Sequence, residues 1–216
     1  PRLSSSVRKT NPIKVANDHR YHREFETATA IYRKIYKNRR NKVEFRAKAL
    51  KELAKSFKLQ RMKKKHIEAL QKRSAIIYRA FRKNKKKYAP MYRSSIIQLA
   101  LAHWTQGSPS KASRMMHELA RELRGHSKLS HIYWIQGRIA EEKQDFRAAI
   151  RWFEKGIKEC RSSCSNKKKL YWYKAWNHKK LNEYAKAEKA LQMYIRAVPE
   201  DEESKGLFWL GKTYQD

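Results

Sequence analysis

The sequence predicts an all-α protein built as a helical-hairpin solenoid, and three observations support this. Only 6 Gly and 5 Pro occur in 216 residues, too few for the many turns of a barrel or sandwich. Apolar residues recur at three- and four-residue steps, the period of one apolar helix face. A pair of aromatic residues, followed by a turn and a second apolar run, recurs at a nearly constant interval.

Aromatic pairs mark the repeat in the second half of the chain. Tyr133-Trp134, Tyr171-Trp172 and Phe208-Trp209 follow one another at steps of 38 and 37 residues. Small residues at fixed distances from these pairs would let two antiparallel helices approach closely, while the rings fill the space between hairpins. These small residues are Gly137, Ala149, Ala175 and Ala187. The period resembles that of tetratricopeptide (TPR) repeats.

The chain is predicted to consist of two parts. Residues 1–89 are expected to form basic helical hairpins, and residues 90–216 to form TPR-like repeats. The repeats are placed at about 93–127, 128–166, 167–203 and, as a partial copy, 204–216. Because the last hairpin is incomplete and the chain begins with Pro1, we expect a piece of a longer protein. Breaks between helices are expected at Asn11-Pro12, residues 38–41, Ala89-Pro90 and residues 107–109.

The charge of the chain is strongly positive. It carries 53 Lys+Arg against 20 Asp+Glu, a net charge of +33, and residues 1–100 hold 30 of those cations but only 6 of the carboxylates. Such self-repulsion favours contact with a polyanion over a merely solvated surface, which remains the alternative. The candidate polyanion-binding residues are Arg61, Lys63, Lys64, Lys65, Arg82, Lys83, Lys85, Lys86 and Lys87.

Signatures of catalysis, cofactor binding and metal binding do not occur in the sequence, so no catalytic residue, cofactor or metal is predicted. No run of about 18 apolar residues occurs, and no membrane-spanning helix is expected. The repeated Tyr and Trp residues are interpreted as core in preference to a stacking surface for sugars or bases. Cys160 and Cys164 flank a Ser-rich turn, and free thiols, a local disulfide and a metal site all remain open.

Several segments of the second half resemble the superhelical domain of soluble lytic transglycosylases. They are Tyr133–Arg138, Leu170–Trp176, Tyr184–Glu188 and Leu207–Lys212. The resemblance covers roughly residues 128–216. It implies a periplasmic, peptidoglycan-associated protein whose family cleaves the glycan with a Glu in a separate lysozyme-like domain. Glu203-Ser204 is the only Glu-Ser pair here, and the Gly-Leu-Met-Gln run of that domain does not follow it.

Two functions are therefore expected from the sequence. In the first, the chain is the non-catalytic scaffold of a lytic transglycosylase-like protein, and it binds anionic cell-wall polymer or positions a downstream catalytic domain. Peptidoglycan is favoured over nucleic acid as the anion. In the second, the chain is a freestanding TPR-type adaptor that binds protein or nucleic acid.

Overall fold

A computed structural model of the protein describes residues 11–160 and 164–215. Over these ranges all regular structure is helical, which confirms the predicted all-α class. The helices are α1 Pro12–Tyr21, α2 Phe25–Lys37, α3 Val43–Leu59, α4 Lys63–Lys83, α5 Lys85–Thr105, α6 Pro109–Leu123, α7 Ser130–Glu142, α8 Phe146–Glu159, α9 Lys167–Lys180, α10 Tyr184–Ile195 and α11 Glu203–Gln215. A 3-10 turn at Glu200–Glu202 leads into α11.

The helices form two compact units, Pro1–Gly107 and Ser108–Asp216. The first unit contains α1 to α5 and the second contains α6 to α11. Inside each unit every helix packs against the next one along the chain. Because the connections are short, neighbouring helices run antiparallel and form hairpins.

Four turns between helices share one backbone conformation. Their central residues have left-handed φ angles between +55° and +63°, and they are Arg23, Arg61, Gln144 and Asn182. In the α3–α4 turn, the Met62 N–H donates to the Phe57 carbonyl at 2.9 Å and the Arg61 N–H donates to the Lys58 carbonyl at 3.0 Å. The other three turns have the same two hydrogen bonds, which define the Schellman ending of a helix.

The same turn recurs at the same interval in both units. Arg23 and Arg61 lie 38 residues apart in the first unit, and Gln144 and Asn182 lie 38 residues apart in the second. The aromatic pairs predicted the repeat only for the second half of the chain. The turns show that residues 11–89 contain a hairpin repeat of equal length.

The break predicted at Ala89-Pro90 is wrong, because α5 continues through Pro90. The chain turns instead at Asn84, whose side-chain oxygen accepts a hydrogen bond from the Lys87 N–H at 2.9 Å and caps the start of α5. Pro90 is exposed in the second turn of α5, and the helix there lacks the hydrogen bond that the residue-90 N–H would donate to Lys86.

Close helix contacts occur at the predicted small residues. A Cβ atom added to Gly137 of α7 would lie 2.2 Å from Cε1 of Phe153 in α8, so only glycine fits there. The other three, Ala149, Ala175 and Ala187, are almost completely buried. These positions set the hairpin spacing in the second unit.

Of the repeated aromatic residues, Tyr171 is buried, and the three Trp residues are half-buried and pack against buried clusters. Trp134 contacts a buried cluster that includes Phe153, and Trp172 and Trp209 contact a second cluster around Leu191. Phe208 differs, because 58% of it is exposed on α11. The aromatic pairs therefore indicate where helices lie in the sequence, but they do not indicate how deeply each ring is buried.

The glycine contact gives a testable prediction. Gly137→Ala should lower the free energy of unfolding by about 1–3 kcal/mol, because the added methyl overlaps the fully buried Phe153 ring. Gly211→Ala is the matched control, since Gly211 is an exposed helical glycine with no atom within 4 Å of the added Cβ. It should be neutral or stabilise by up to about 1 kcal/mol. Urea denaturation of both variants measures the difference, and equal effects would contradict the close contact.

Candidate functional site

A groove of about 620 Å³ lies in the first unit, where the second half of α3, the start of α4 and the end of α5 meet. Its volume is in the range of ligand-binding clefts. We call it the basic groove. It has a cationic rim, an aliphatic floor and a polar side on α5.

The rim of the basic groove consists of Lys51, Lys55, Lys58, Arg61 and Lys63. Lys51, Lys55 and Lys58 are spaced i, i+4 and i+7, so they form a row along one face of α3 over about 10 Å. The Lys55 ammonium also bonds the buried Glu52 carboxylate at 3.0 Å. No Asp or Glu is among the residues that line the groove in the described part of the chain. Apart from Lys55, which pairs with Glu52, the rim therefore attracts anions without competition from a carboxylate in the groove lining.

The floor of the basic groove is aliphatic. It is formed by Ala54, Leu70, Leu101 and Ala102. The His66 Nδ1–H donates to the Ala54 carbonyl at 2.8 Å and ties α4 to α3 at this point. Gln98, Thr105 and Gln106 provide the polar side on α5. No Phe, Tyr or Trp lines the groove within the described residues, so it offers no ring on which a base or sugar could stack.

A buried cation lies next to the groove. Arg73 is 6% exposed, and its guanidinium donates to the Gln98 side-chain oxygen at 2.9 Å. Its Nε atom has no hydrogen-bond partner, and no carboxylate of the described residues forms an ion pair with it. Burial lowers the pKa of Arg73, because the charged form loses solvation. Arg73 thus adds an uncompensated positive charge behind Gln98.

The structure separates the predicted polyanion-binding residues into two groups. Arg61 and Lys63 belong to the rim, and Lys64 and Lys65 are exposed at the same end of α4. Because α4 has 21 residues, the second group lies about 30 Å away at its other end. That group consists of Arg82, Lys83, Lys85, Lys86 and Lys87.

Within the second group, Lys87 is less available to a ligand because it already has partners in the fold. The Lys87 ammonium bonds the Glu44 carboxylate at 3.2 Å and lies 4.9 Å from the centre of the Tyr88 ring. The ion pair with Glu44 holds the start of α5 against the start of α3, whereas the contact with Tyr88 lies within α5. Binding of a polyanion by either group stays a prediction.

Sequence analysis missed the three rim lysines of α3. They are not a run in the sequence, and runs were the signal used. The spacing of Lys51, Lys55 and Lys58 on one helix face was the signal that could have found them.

A second cleft, of about 450 Å³, lies in the second unit between α8, α9 and α10. Its lining includes five Lys or Arg residues and two carboxylates, Glu154 and Glu183, so part of the positive charge is offset. Glu154 bonds Lys174 at 2.9 Å, and Glu183 bonds Lys186 at 3.3 Å and the ring of His178 at 2.6 Å. Arg147 lies 3.8 Å from Glu183 as well. This cleft therefore attracts anions less strongly than the basic groove does.

Lysine ammonium groups cover several of the tryptophan rings in the second unit. The Lys205 ammonium lies 3.9 Å from the centre of the Trp172 ring, and the Lys155 ammonium lies 4.4 Å from that of Trp152. Such cation–π contacts occupy the ring faces that a base or sugar would need. They support the interpretation of these rings as structural.

Cys160 and Cys164 are joined by a disulfide, with their Cα atoms 5.2 Å apart. Of the three alternatives left open by the sequence, the structure adopts the local disulfide. Cys160 is buried in the cluster of Ala149, Phe153 and Leu170 at the end of α8. The disulfide therefore ties Cys164, which precedes α9, to the core at the end of α8.

No set of three or more His, Cys, Asp or Glu side chains is arranged to hold a metal ion in the described part of the chain. None of the helices found there has the length and apolarity needed to cross a membrane.

The fold is similar to that of several solved structures. The C-terminal part of a TPR repeat-containing protein from Cytophaga hutchinsonii aligns with a TM-score of 0.64 at 14% identity, over 93% of this chain and 69% of that one. PilF of Pseudomonas aeruginosa gives 0.61 at 16% identity, over 95% and 83%. BtubC of P. vanneervenii gives 0.64 at 15% identity, over 85% and 77%. These similarities confirm the predicted class, a helical-hairpin solenoid of TPR-like fold.

No protein-family model and no curated protein sequence matches the chain. At identities of 14 to 16%, the similar structures show the fold alone. The resemblance to the superhelical domain of soluble lytic transglycosylases therefore stays a prediction without support from these comparisons.

The His178–Glu183 pair predicts a pH dependence of stability. Burial lowers the pKa of His178, although the Glu183 hydrogen bond partly opposes this, and the same bond lowers the pKa of Glu183. Since the folded pKa of His178 lies below its usual 6.5, the fold favours neutral imidazole. The contribution of neutral His178 to the free energy of unfolding is complete above about pH 6.5 and is lost as the pH falls.

We therefore expect the unfolding temperature to fall between about pH 7 and pH 5, and to fall less in His178→Gln. His126→Gln is the control, because His126 is an exposed histidine outside the cleft. Thermal unfolding followed by circular dichroism at several pH values measures the slopes. If His126→Gln flattens the slope as much as His178→Gln does, the assignment to His178 is wrong.

Proposed function

We propose that the protein is a TPR-type adaptor that binds a protein partner through the basic groove. The observation that carries the proposal is the combination of a cationic rim, an aliphatic floor and polar groups in one cleft. Aliphatic side chains of a peptide fit the floor, and its charged and amide groups fit the rim and the polar side. The TPR-like fold supports this role, because it stacks helices into surfaces of the kind that bind peptides.

Binding of nucleic acid is the second candidate, and the exposed basic residues where α4 ends and α5 begins favour it. A phosphate backbone would interact with Lys83, Lys85 and Lys86 without any specific pocket. The scaffold function in a peptidoglycan lytic transglycosylase-like protein is the third. It is based on the sequence resemblance alone.

Selection from a phage-displayed random peptide library tests the adaptor function. We expect the purified chain to enrich peptides of a common pattern at physiological ionic strength. Binding to single-stranded RNA and to purified sacculi is measured in parallel. If no peptide is enriched while RNA binds with a steep salt dependence, the chain binds nucleic acid. Retention on sacculi without peptide enrichment would favour the cell-wall scaffold.

The periplasmic location predicted from the resemblance stays a proposal, and the Cys160–Cys164 disulfide supports it. Disulfides persist in oxidising compartments such as the periplasm and are rare in the cytosol.

Thiol labelling tests this location. The protein is isolated from its native compartment after acid quenching and is then denatured. We expect neither cysteine to react with an alkylating reagent until a reductant is added. Mass spectrometry of the peptide that contains both cysteines measures the label. Full labelling without reductant would contradict an oxidising location.

A further inference from the structure

We infer that the basic groove binds a peptide segment in which acidic side chains alternate with aliphatic ones. The inference rests on the proposed adaptor function and specifies the chemistry of the partner. It follows from three features of the groove: a row of cations, an aliphatic floor without aromatic rings, and a buried guanidinium beside it.

The row of cations selects a ligand with several negative charges. The rim ammonium groups of Lys51, Lys55 and Lys58 extend over about 10 Å of α3, and Arg61 and Lys63 continue the rim around the turn into α4. A single carboxylate could neutralise only one of these positions. A segment with successive Glu or Asp side chains can contact several of them at once.

The floor selects a peptide over a nucleic acid. Ala54, Leu70 and Leu101 offer aliphatic surface, which stabilises a bound leucine or valine side chain by burial. Proteins that bind single-stranded nucleic acid stack bases on aromatic rings, and the groove has no such ring among its described lining residues. The polar groups of Gln98 and Gln106 on α5 can bond the amide groups of a peptide backbone.

Arg73 adds an electrostatic reason for an acidic ligand. Its buried guanidinium has an unpartnered Nε atom and no ion pair with a described carboxylate, and it bonds Gln98 of the groove. A buried charge of this kind is costly unless an opposite charge lies close to it. Carboxylates bound in the groove would supply that charge.

Fluorescence anisotropy with a labelled peptide of alternating Glu and Leu tests the inference on the full chain. The rim variant is Lys51→Glu/Lys58→Glu/Lys63→Glu. Lys55 is left unchanged because it bonds the buried Glu52. The matched control is Lys83→Glu/Lys85→Glu/Lys86→Glu, which changes the net charge equally at the other end of α4. It leaves Lys87 unchanged because that residue bonds Glu44.

We expect the rim variant to bind the peptide about tenfold more weakly or worse, and the control variant to stay within about twofold of the unmodified chain. Leu101→Ser should also weaken binding, whereas Leu59→Ser, at an exposed position outside the groove, should not. Peptides with Gln in place of Glu, or Ser in place of Leu, should bind more weakly than the parent peptide. Circular dichroism verifies that each variant is folded.

Three results would overturn the inference. Equal losses in the rim and control variants would show general electrostatic attraction. RNA binding that only the rim variant loses, together with no peptide binding, would make the groove a nucleic-acid site. If library-selected peptides bind the chain but the rim variant binds them unchanged, the adaptor function stands and the partner site lies elsewhere.

Discussion

The structure depends on a turn in which a residue other than glycine holds a left-handed backbone conformation. Arg23, Arg61, Gln144 and Asn182 all have positive φ. This conformation costs about 1–2 kcal/mol for an ordinary L-residue. The cost is offset by two hydrogen bonds that close the end of the preceding helix, and by the packing of the two helices that the turn joins. The helix hairpin is stable because the strain energy of the turn is smaller than the energy gained when the two helices pack together.

The same turn connects the fold to the candidate site. Arg61 is the left-handed residue between α3 and α4, and it is also part of the rim of the basic groove. The turn brings the end of α3 and the start of α4 together, so that Lys58 and Lys63 line one cleft. A change in the turn would therefore alter the groove as well as the hairpin. In this chain the strained backbone and the basic rim belong to a single feature.

The repeat could be predicted in the second unit, where particular residue types recur at a constant interval. It was missed in the first unit, where only a backbone conformation recurs. Gly137 and the aromatic pairs belong to a pattern that recurs at a constant interval in the sequence. The structure gives the reason for the glycine, since Gly137 lies directly against Phe153. In the first unit the repeating element is the turn, which a sequence would reveal through glycine. Arg23 and Arg61 occupy those positions instead, so no pattern of residue types marked them.

The candidate site was predictable in part for a similar reason. Charge density along the chain identified Arg61 and Lys63, because neighbours in sequence are neighbours in a turn. The helix period could have added the lysines of α3. The floor could not be predicted, because Leu101 and Ala102 of α5 approach α3 only through packing against α4. Apolar residues on a helix indicate a buried face, but they do not indicate which part of that face stays open.

The two clefts differ in how far carboxylates of the fold offset their cations. Both clefts contain cations, but in the second unit Glu154 pairs with Lys174 and Glu183 pairs with Lys186, so part of the positive charge is offset within the fold. In the first unit, the buried Glu52 carboxylate pairs with Arg20 and with the rim residue Lys55, so it offsets one of the five rim cations. The remaining rim cations and the buried Arg73 repel one another. A bound anion would relieve this repulsion, so binding in the basic groove should stabilise the first unit in addition to holding the partner.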